Sequence, residues 1–269
     1  MGKMAKGNLV IIGGAEDKSG ECTILKHLVE MAGGSNARMT ILTTASENSH
    51  EAGAVYREVF QRLGVGKIKI LNINTRDDAN MDNVLELASE PTGIFFTGGD
   101  QLRITSILGG TKAFSALHEA YRQGIVIAGT SAGASAMSGT MIVDGNSNDP
   151  ARKCTLKMAP GLGLLEEVLI DQHFHQRGRI GRLLCGVAEN PSILGMGIDE
   201  DTAVRVYPDA HLEVIGNNSV IIADGRQIKS SNVSELKPDE NLAIANIVIH
   251  VLPAGYGFDM QRREVLRLH

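Results

Sequence analysis

The segment "GTSAGASA", residues 129–136, places a serine between two glycines. Ser131 and its neighbours Gly129 and Gly133 fit the pattern G-x-S-x-G, which is typical of a nucleophile elbow. The run "GIVIA" precedes the pattern and the small, helix-compatible run "SAMSG" follows it, so Ser131 lies where a strand turns into a helix. The pattern also fits a tight turn in which glycine serves only to reach difficult dihedral angles. Ser131 is therefore a candidate nucleophile that requires a base and an acid elsewhere in the chain.

Two histidines follow the apolar run "EVLID", with His173 and His175 on either side of Phe174. A serine hydroxyl becomes a strong nucleophile when a base takes its proton, and an acceptor must hold that base in the right tautomer. The other histidines lie in expected helices, hairpins or the tail, without a polar cluster beside them. His173 is the favoured base because polar residues flank it and an arginine-rich turn follows. The alternative is a histidine that is satisfied at a strand end.

Three consecutive acids, Asp199, Glu200 and Asp201, occur in "GMGIDEDTA". Strand alternation sends Glu200 to the face opposite its two neighbours, so Glu200 is the favoured acid to orient the base. A solvated acidic turn is the alternative, because consecutive acids are usually exposed. Asp149 is a second candidate for the orienting acid.

An oxyanion hole needs two backbone N–H groups aimed at the developing negative charge. Ala132, the residue after the candidate nucleophile, supplies one at the start of a helix. The glycine-rich turn "TGGDQ" supplies the other from Gly98 or Gly99, and we assign it to Gly99. Gln101 follows this turn and is a candidate for holding the substrate, or a helix-start glutamine that makes a local hydrogen bond.

Strands must bring these groups together, and the chain has seven apolar runs that fit buried strands. These are "NLVII", "ARMTILTT", "KIKILNI", "GIFFTGG", "GIVIAGT", "EVLIDQHF" and "ILGMGI". Five helical stretches lie between them: "ECTILKHLVEMA", "HEAGAVYREVFQRLG", "MDNVLELA", "KAFSALHEAYRQG" and "RIGRLLCGVAEN". In the first, apolar residues recur at helical spacing. The alternation predicts an α/β fold, a three-layer α/β/α sandwich with a mostly parallel central sheet.

Polar or glycine-rich clusters close several of these runs. They are "GGAED" (13–17), "TGGDQ" (97–101), "DQHFHQRGR" (171–179) and "GIDEDTA" (197–203). Sites in open α/β sheets form at the carboxyl ends of strands, where Ser131 also lies. We therefore expect these clusters to meet at one edge of the sheet.

The texture of the sequence changes after about residue 203. Short alternating runs, "AVRVYPDAHLEVIG", "SVIIADGRQIKSS" and "AIANIVIHVL", contain a Pro-Asp and an Asp-Gly turn and predict β-hairpins. No linker or repeat separates this part from the rest. The sequence therefore predicts a single catalytic α/β domain over 1–269, in which about 204–252 form an antiparallel extension.

The bulk properties of the 269 residues narrow the class of protein. Hydrophobic residues make up 43% and charged residues 21%, and the net charge is −5, which argues against a general affinity for nucleic acid or acidic membranes. Three widely separated cysteines fit neither a disulfide framework nor a cysteine-built zinc site. Since no run is long enough for a secretion signal or a membrane span, we expect a cytoplasmic protein.

Five longer segments carry a family resemblance. They are "IIGGAEDK", "FFTGGDQLRI", "AGTSAGASAM", "GLGLLEEVLIDQHFHQRGRIGRLL" and "GIDEDTAV". In this order the segments resemble the cyanophycinases, serine peptidases on the class I glutamine amidotransferase-like (flavodoxin-like) fold that are related to peptidase E. The resemblance runs from about residue 8 to past residue 225. It implies that Ser131 is the nucleophile, His173 the base and Glu200 the acid.

The resemblance also implies a substrate and a pocket. Cyanophycin has a poly-aspartate backbone with an arginine on each β-carboxyl, and the expected products are β-aspartyl-arginine dipeptides. The expected enzyme is a homodimer that uses no cofactor and no metal. The positions that match the family's pocket are Gln101, Asp171, Gln172, Arg177, Arg179 and Arg182. Arginines can bind carboxylates in bidentate fashion, although this cluster also fits a solvated helix start. The candidate acceptors of a guanidinium are Glu16, Asp17, Asp149 and the acids of "DEDT".

Three alternatives remain at this point. In a metal hydrolase, Asp171, His173 and His175 would share one strand face as ligands. A binding module with a dead site would be expected to lack a member of the triad, and none is missing. An aspartyl or isoaspartyl dipeptidase of the peptidase E type would keep the triad and differ in its loops.

Overall fold

The structure is a computed structural model, and it describes residues 7–145, 147, 150–152, 156–237 and 239–267. Two of the residues singled out in the sequence, Asp149 and Cys154, lie outside this part of the chain. The other two cysteines, Cys22 and Cys185, are buried.

The α-helices within the described residues are α1 (Thr23–Met31), α2 (Ser49–Arg62), α3 (Gln101–Leu108), α4 (Lys112–Arg122), α5 (Ala132–Ser135) and α6 (Ile180–Glu189). Short 3-10 helices cover Gly34–Asn36, Asp78–Asn80, Asp82–Ala88 and His175–Arg177. None of the helices in this part of the chain is both long and apolar enough to cross a membrane.

The first strands in the chain are β1 (Leu9–Ile12), β2 (Arg38–Leu42), β3 (Lys67–Leu71), β4 (Gly93–Phe96), β5 (Val126–Thr130), β6 (Thr140–Gly145), β7 (Leu156–Pro160), β8 (Val168–Gln172) and β9 (Leu194–Ile198). The later strands are β10 (Thr202–Val206), β11 (His211–Gly216), β12 (Ser219–Asp224), β13 (Ser230–Ser231), β14 (Ile244–Ala245), β15 (Val248–Pro253), β16 (Tyr256–Asp259) and β17 (Glu264–Arg267).

Nine strands form the large sheet, in the order β17-β16-β11-β10-β1-β5-β4-β2-β3. The half from β1 to β3 is parallel, as the strand–helix alternation predicts. The other half, from β1 to β17, is antiparallel. The prediction of a mostly parallel sheet therefore holds for one half, because four of the strands after residue 201, β10, β11, β16 and β17, extend the same sheet.

A second sheet of four strands has the order β15-β12-β9-β8. The runs "EVLIDQHF" and "ILGMGI" were expected in the central sheet, but they form β8 and β9 of this second sheet and pair in parallel. Local apolar patterns identify strands without identifying their partners, so this division was not predictable from the sequence. One buried cluster contains side chains from both sheets, among them Leu9 and Met196.

Alternate residues of the central strands face two different cores. In β1, Leu9 and Ile11 belong to the cluster that includes residues of α3 and α4. Val10 and Ile12 belong to the cluster that includes residues of α1 and α2. Because a strand buried on both faces has no polar side, β1 reads as an uninterrupted apolar run.

Three local predictions were wrong. The run "MDNVLELA" forms a 3-10 helix where an α-helix was expected. The helix α3 was not predicted; it is short, and Asp100 caps it by accepting the backbone N–H of Leu102. The Asp-Gly pair at 224–225 does not close a hairpin, because β12 pairs with β9 and β15. The buried carboxylate of Asp224 instead binds Arg226 and Arg263.

Candidate active site

Ser131 occupies the sharp turn between β5 and α5. Its backbone has φ 53° and ψ −111°, a conformation that non-glycine residues rarely adopt and that costs on the order of 1–3 kcal/mol. The flanking glycines serve close packing: a Cβ on Gly129 would lie 2.6 Å from the Gly133 carbonyl oxygen, and a Cβ on Gly133 would lie 2.7 Å from that of Phe96. Neither glycine has a positive φ, so the strained residue is the serine itself.

Two hydrogen bonds connect Ser131 to the predicted base and acid. The Ser131 Oγ lies 2.9 Å from His173 Nε2. On the other side of the ring, His173 Nδ1 lies 2.6 Å from Glu200 Oε1. Because a carboxylate only accepts, Nδ1 carries the proton and Nε2 is left to accept from the serine hydroxyl. This is the arrangement in which a base can activate a serine.

The surroundings of His173 favour its neutral form. Burial is the largest influence and lowers the pKa of His173 below its ordinary 6.5. The hydrogen bond that His173 donates to Glu200 raises the pKa, whereas the nearby charges of Arg177 and Arg179 lower it. The imidazole therefore remains able to accept a proton at neutral pH.

The acidic turn between β9 and β10 presents one carboxylate to the histidine and uses the other two internally. Asp199 accepts the backbone N–H groups of His175 and Ser219, and Asp201 accepts that of Asp17. Glu200 alone of the three reaches His173, and its own backbone N–H donates to Gln176 Oε1 at 3.1 Å. Glu200 is the acid that the sequence favoured, but it lies in the turn between β9 and β10, so alternation along a strand is not what places it.

The loop of residues 13–17 touches the histidine directly. The Gly13 carbonyl accepts the backbone N–H of His173 at 2.8 Å, and the Gly14 carbonyl accepts that of Asp201 at 2.9 Å. A Cβ on Gly14 would lie only 2.3 Å from His173 Cε1, and Gly14 has φ +101°. Residue 14 must therefore be glycine for the imidazole to occupy its place. The motif "GGAED" is recognisable in the sequence, but its contact with His173 is not.

Within the described residues, the backbone N–H groups of Ala132, Gly98 and Gly99 have no hydrogen-bond partner. Gly98 adjoins the nucleophile, since a Cβ on it would lie 3.5 Å from the Ser131 Cβ. Gly99, with φ +144°, packs so closely on the loop after β2 that its Cβ would lie 2.1 Å from the Ala45 carbonyl oxygen. Free N–H groups near the nucleophile fit the predicted oxyanion hole.

Three of the predicted pocket residues form a buried ion cluster. Asp171 accepts from Arg182 through both carboxylate oxygens, and Arg179 approaches it at 3.3 Å. Arg179 also donates to the Gln172 carbonyl at 2.5 Å, and burial lowers its pKa to about 10. Since all three charged side chains are less than 10% exposed, the geometry gives them the task of bracing the end of β8 next to His173.

The other predicted pocket residues differ in whether their side chains already have partners within the protein. Gln101 donates its amide to the carbonyl oxygens of Ile142 and Val143, so it ties α3 to β6. The side chain of Gln172 is buried, with its Oε1 3.5 Å from Ser131 Oγ. Arg177 is exposed, and within the described residues its guanidinium makes no ion pair or side-chain hydrogen bond. It is the cation of this group that is open to a ligand.

Two acids proposed as guanidinium acceptors have internal roles instead. The carboxylate of Glu16 is fully buried. Asp17 accepts the backbone N–H groups of Ser19, Gly20 and Cys22 ahead of α1, which lowers its pKa to about 2. Both carboxylates hold the loop after β1, and neither is presented to a substrate.

The strand-face arrangement proposed for a metal does not form. β8 ends at Gln172, and the chain turns at His173, which has φ 47°. His175 lies in a 3-10 helix with an exposed side chain. Among the residues that the structure describes, no three potential ligands cluster around one point.

The comparison with family models decides between the remaining classes of hydrolase. The model of peptidase family S51 matches residues 9–214. The chain belongs to peptidase family S51. As a member of this family it is a serine-type peptidase. A cyanophycinase from Synechococcus elongatus is 37% identical over 261 residues, which cover 97% of this chain and 81% of that protein. A cyanophycinase from Trichormus variabilis is 39% identical over 259 residues, 96% of this chain and 87% of that protein.

A solved structure supports the fold of this S51 peptidase. The crystal structure of a peptidase from an acI-B1 actinobacterium matches with a TM-score of 0.66 and 23% identity. The match covers 92% of this chain and 98% of that chain. The α/β class predicted from the sequence is confirmed.

Replacing Gly14 by alanine tests whether the close packing of Gly14 against His173 positions the imidazole. The added Cβ would displace the His173 ring from Ser131, and a displacement of about 1 Å can cost on the order of 10²-fold in rate. Gly64→Ala is the matched control, because Gly64 also has a positive φ, +86°, but open space around its Cβ position. Peptide hydrolysis by the two variants is compared with wild type. Equal rates for both variants would contradict the contact.

The acid limb of the pH–rate profile tests the base. His173 works only when neutral, so kcat/KM falls as pH drops through its pKa, and burial places that midpoint below 6.5. Glu200→Gln removes a negative charge that raises the pKa of His173, so it moves the midpoint to still lower pH. Profiles of kcat/KM from pH 4 to 9 measure both midpoints. A wild-type midpoint above 6.5 would refute this picture of the site.

Proposed function

We propose that this S51 peptidase is a cyanophycinase that cleaves the backbone of cyanophycin through Ser131, His173 and Glu200. The observation that carries the proposal is the pair of hydrogen bonds, 2.9 Å and 2.6 Å, that join the three side chains. The cyanophycinases that are more than a third identical over nearly the whole chain support the substrate.

The proposed reaction has two steps. His173 Nε2 takes the proton of Ser131 as Oγ attacks the aspartyl carbonyl, and the N–H groups of Ala132 and Gly99 stabilise the oxyanion. The imidazolium, held by Glu200, then gives the proton to the leaving amine as the peptide bond breaks. A water molecule, deprotonated by the same imidazole, hydrolyses the acyl-enzyme and restores the serine.

The charges around the site suit a substrate with both signs. The exposed guanidinium of Arg177 can accept a carboxylate of the polymer. An open cavity of about 500 Å³, on the loop after β2 and the start of α3, has Glu47, Glu51 and Arg103 in its wall. The two carboxylates offer partners for arginine side chains, and Arg103 offers one for a carboxylate.

The single domain, the cellular location and the oligomeric state are part of the same proposal. One cluster of buried side chains spans both sheets, which supports a single catalytic domain with helices on both faces of the large sheet. The cytoplasmic location rests on the composition of the sequence, and the homodimer rests on the family resemblance.

Removing the nucleophile tests the triad. Ser131→Ala should lower cyanophycin hydrolysis on the order of 10³-fold or more, because the hydroxyl supplies the covalent chemistry. The loss is measured by mass analysis of released dipeptides, with circular dichroism to show that the fold is retained. Retention of more than about a tenth of the activity would refute the triad, and zinc-reversible inhibition by EDTA would favour a metal hydrolase.

Three polymers test the substrate. Plain poly-aspartate lacks the guanidinium, so polar partners in the site stay unpaired and kcat/KM should fall roughly 10²- to 10⁴-fold relative to cyanophycin. A lysine-substituted polymer keeps the charge but loses the planar fork, so it should fall in between. The rates are compared at one ionic strength. Equal rates on poly-aspartate and cyanophycin would leave the triad intact and overturn the substrate.

A further inference from the structure

A buried carboxylate lies directly behind the nucleophile. The side chain of Glu16 has no exposed surface. Its Oε2 accepts the hydroxyl of Thr130 at 2.6 Å. Its Oε1 accepts the hydroxyl of Tyr56 at 2.5 Å and lies 3.1 Å from Lys18 Nζ. A buried charge is tolerated where it is paired and hydrogen-bonded, and here a cation and two hydroxyls satisfy both oxygens.

The Oε2 branch ends at the residue that precedes Ser131. Thr130 is the last residue of β5, and Ser131 follows it with the strained φ of 53°. The Ser131 backbone N–H donates to the Ile12 carbonyl at 3.0 Å. The elbow is thus tied twice to the segment from Ile12 to Glu16, by the backbone of Ser131 and by the side chain of Thr130.

The Oε1 branch leads away from the nucleophile. Tyr56 lies on α2 and packs against the rings of Phe60 and Phe95 in the core. Burial and the charge of Glu16 raise the pKa of Tyr56 well above its ordinary value, so the phenol remains a donor. One carboxylate oxygen therefore faces the core and the other the elbow, and a side-chain hydrogen bond between Tyr56 and Thr130 links the two branches.

We infer that Glu16 is a positioning residue, which acts through Thr130 to hold the elbow so that Ser131 Oγ points at His173. Strained backbone persists only where its surroundings over-determine it, and the Glu16–Thr130 hydrogen bond is one such constraint. The same loop carries Gly14 against His173, so one segment sets both partners of the 2.9 Å hydrogen bond. The inference rests on the proposed role of Ser131.

Three variants separate the two branches. Glu16→Gln keeps the shape of the side chain but places an amide N–H₂ group opposite hydrogen-bond donors. Thr130→Val removes the hydroxyl that donates to Glu16 Oε2. Both should lower kcat and the rate of Ser131 labelling by a fluorophosphonate roughly 10- to 100-fold, with little change in KM. Tyr56→Phe removes the phenol from Oε1 and from Thr130 but leaves the Glu16–Thr130 hydrogen bond, so it should lower the melting temperature and lower the labelling rate much less than Thr130→Val.

Two further readouts separate positioning from general loss of structure. The final extent of labelling counts folded sites, and it should equal that of wild type in all three variants. The acid-limb midpoint should not move, because Glu16 does not contact His173. In the double variant Glu16→Gln/Thr130→Val the loss should match that of the larger single variant, since both cut one path.

Several results would overturn the inference. Wild-type labelling by Thr130→Val would do so, even where Glu16→Gln fails to fold. Equal losses in Tyr56→Phe and Glu16→Gln would assign the carboxylate to the core alone. Wild-type protein that is not labelled at Ser131 would overturn the proposed function together with this inference, whereas labelled variants at the wild-type rate overturn the inference only.

Discussion

The loop of residues 13–17 holds three distant pieces of chain at one point. Ser131 follows a strand of the large sheet, whereas His173 and Glu200 follow strands of the second sheet. The loop binds the histidine through the Gly13 carbonyl, the acidic turn through the Gly14 carbonyl and the elbow through Glu16. The relative positions of the three residues of the proposed triad therefore depend on contacts from this one loop.

Two of the three residues of the proposed triad have backbone conformations that L residues rarely adopt. Ser131 has φ 53° and His173 has φ 47°. Such turns lift side chains clear of the strand ends, and the surrounding structure must supply the stabilisation that the turns lack. The buried pairing of Asp171 with two arginines does so below His173, and the packing of Gly129 and Gly133 does so around Ser131.

The sequence indicated the residues of the candidate site more closely than the arrangement of the strands. Ser131, His173 and Glu200 follow the carboxyl ends of apolar runs, and the carboxyl ends of parallel strands share one edge of a sheet. The placement of β8 and β9 in a second sheet depends on pairing partners more than twenty residues away, which local periodicity does not encode. Gly14 was visible as a glycine, but its need becomes apparent only with the imidazole in place.

The residues of the proposed triad are divided between two sheets, and this division determines when they can align during folding. The second sheet is complete only when β12 and β15, which ends at Pro253, have joined β8 and β9. A nascent chain that has emerged from the ribosome through the elbow therefore carries a serine without an aligned base. The serine and its proposed base are therefore set side by side only when segments as far along the chain as Pro253 have folded onto the second sheet.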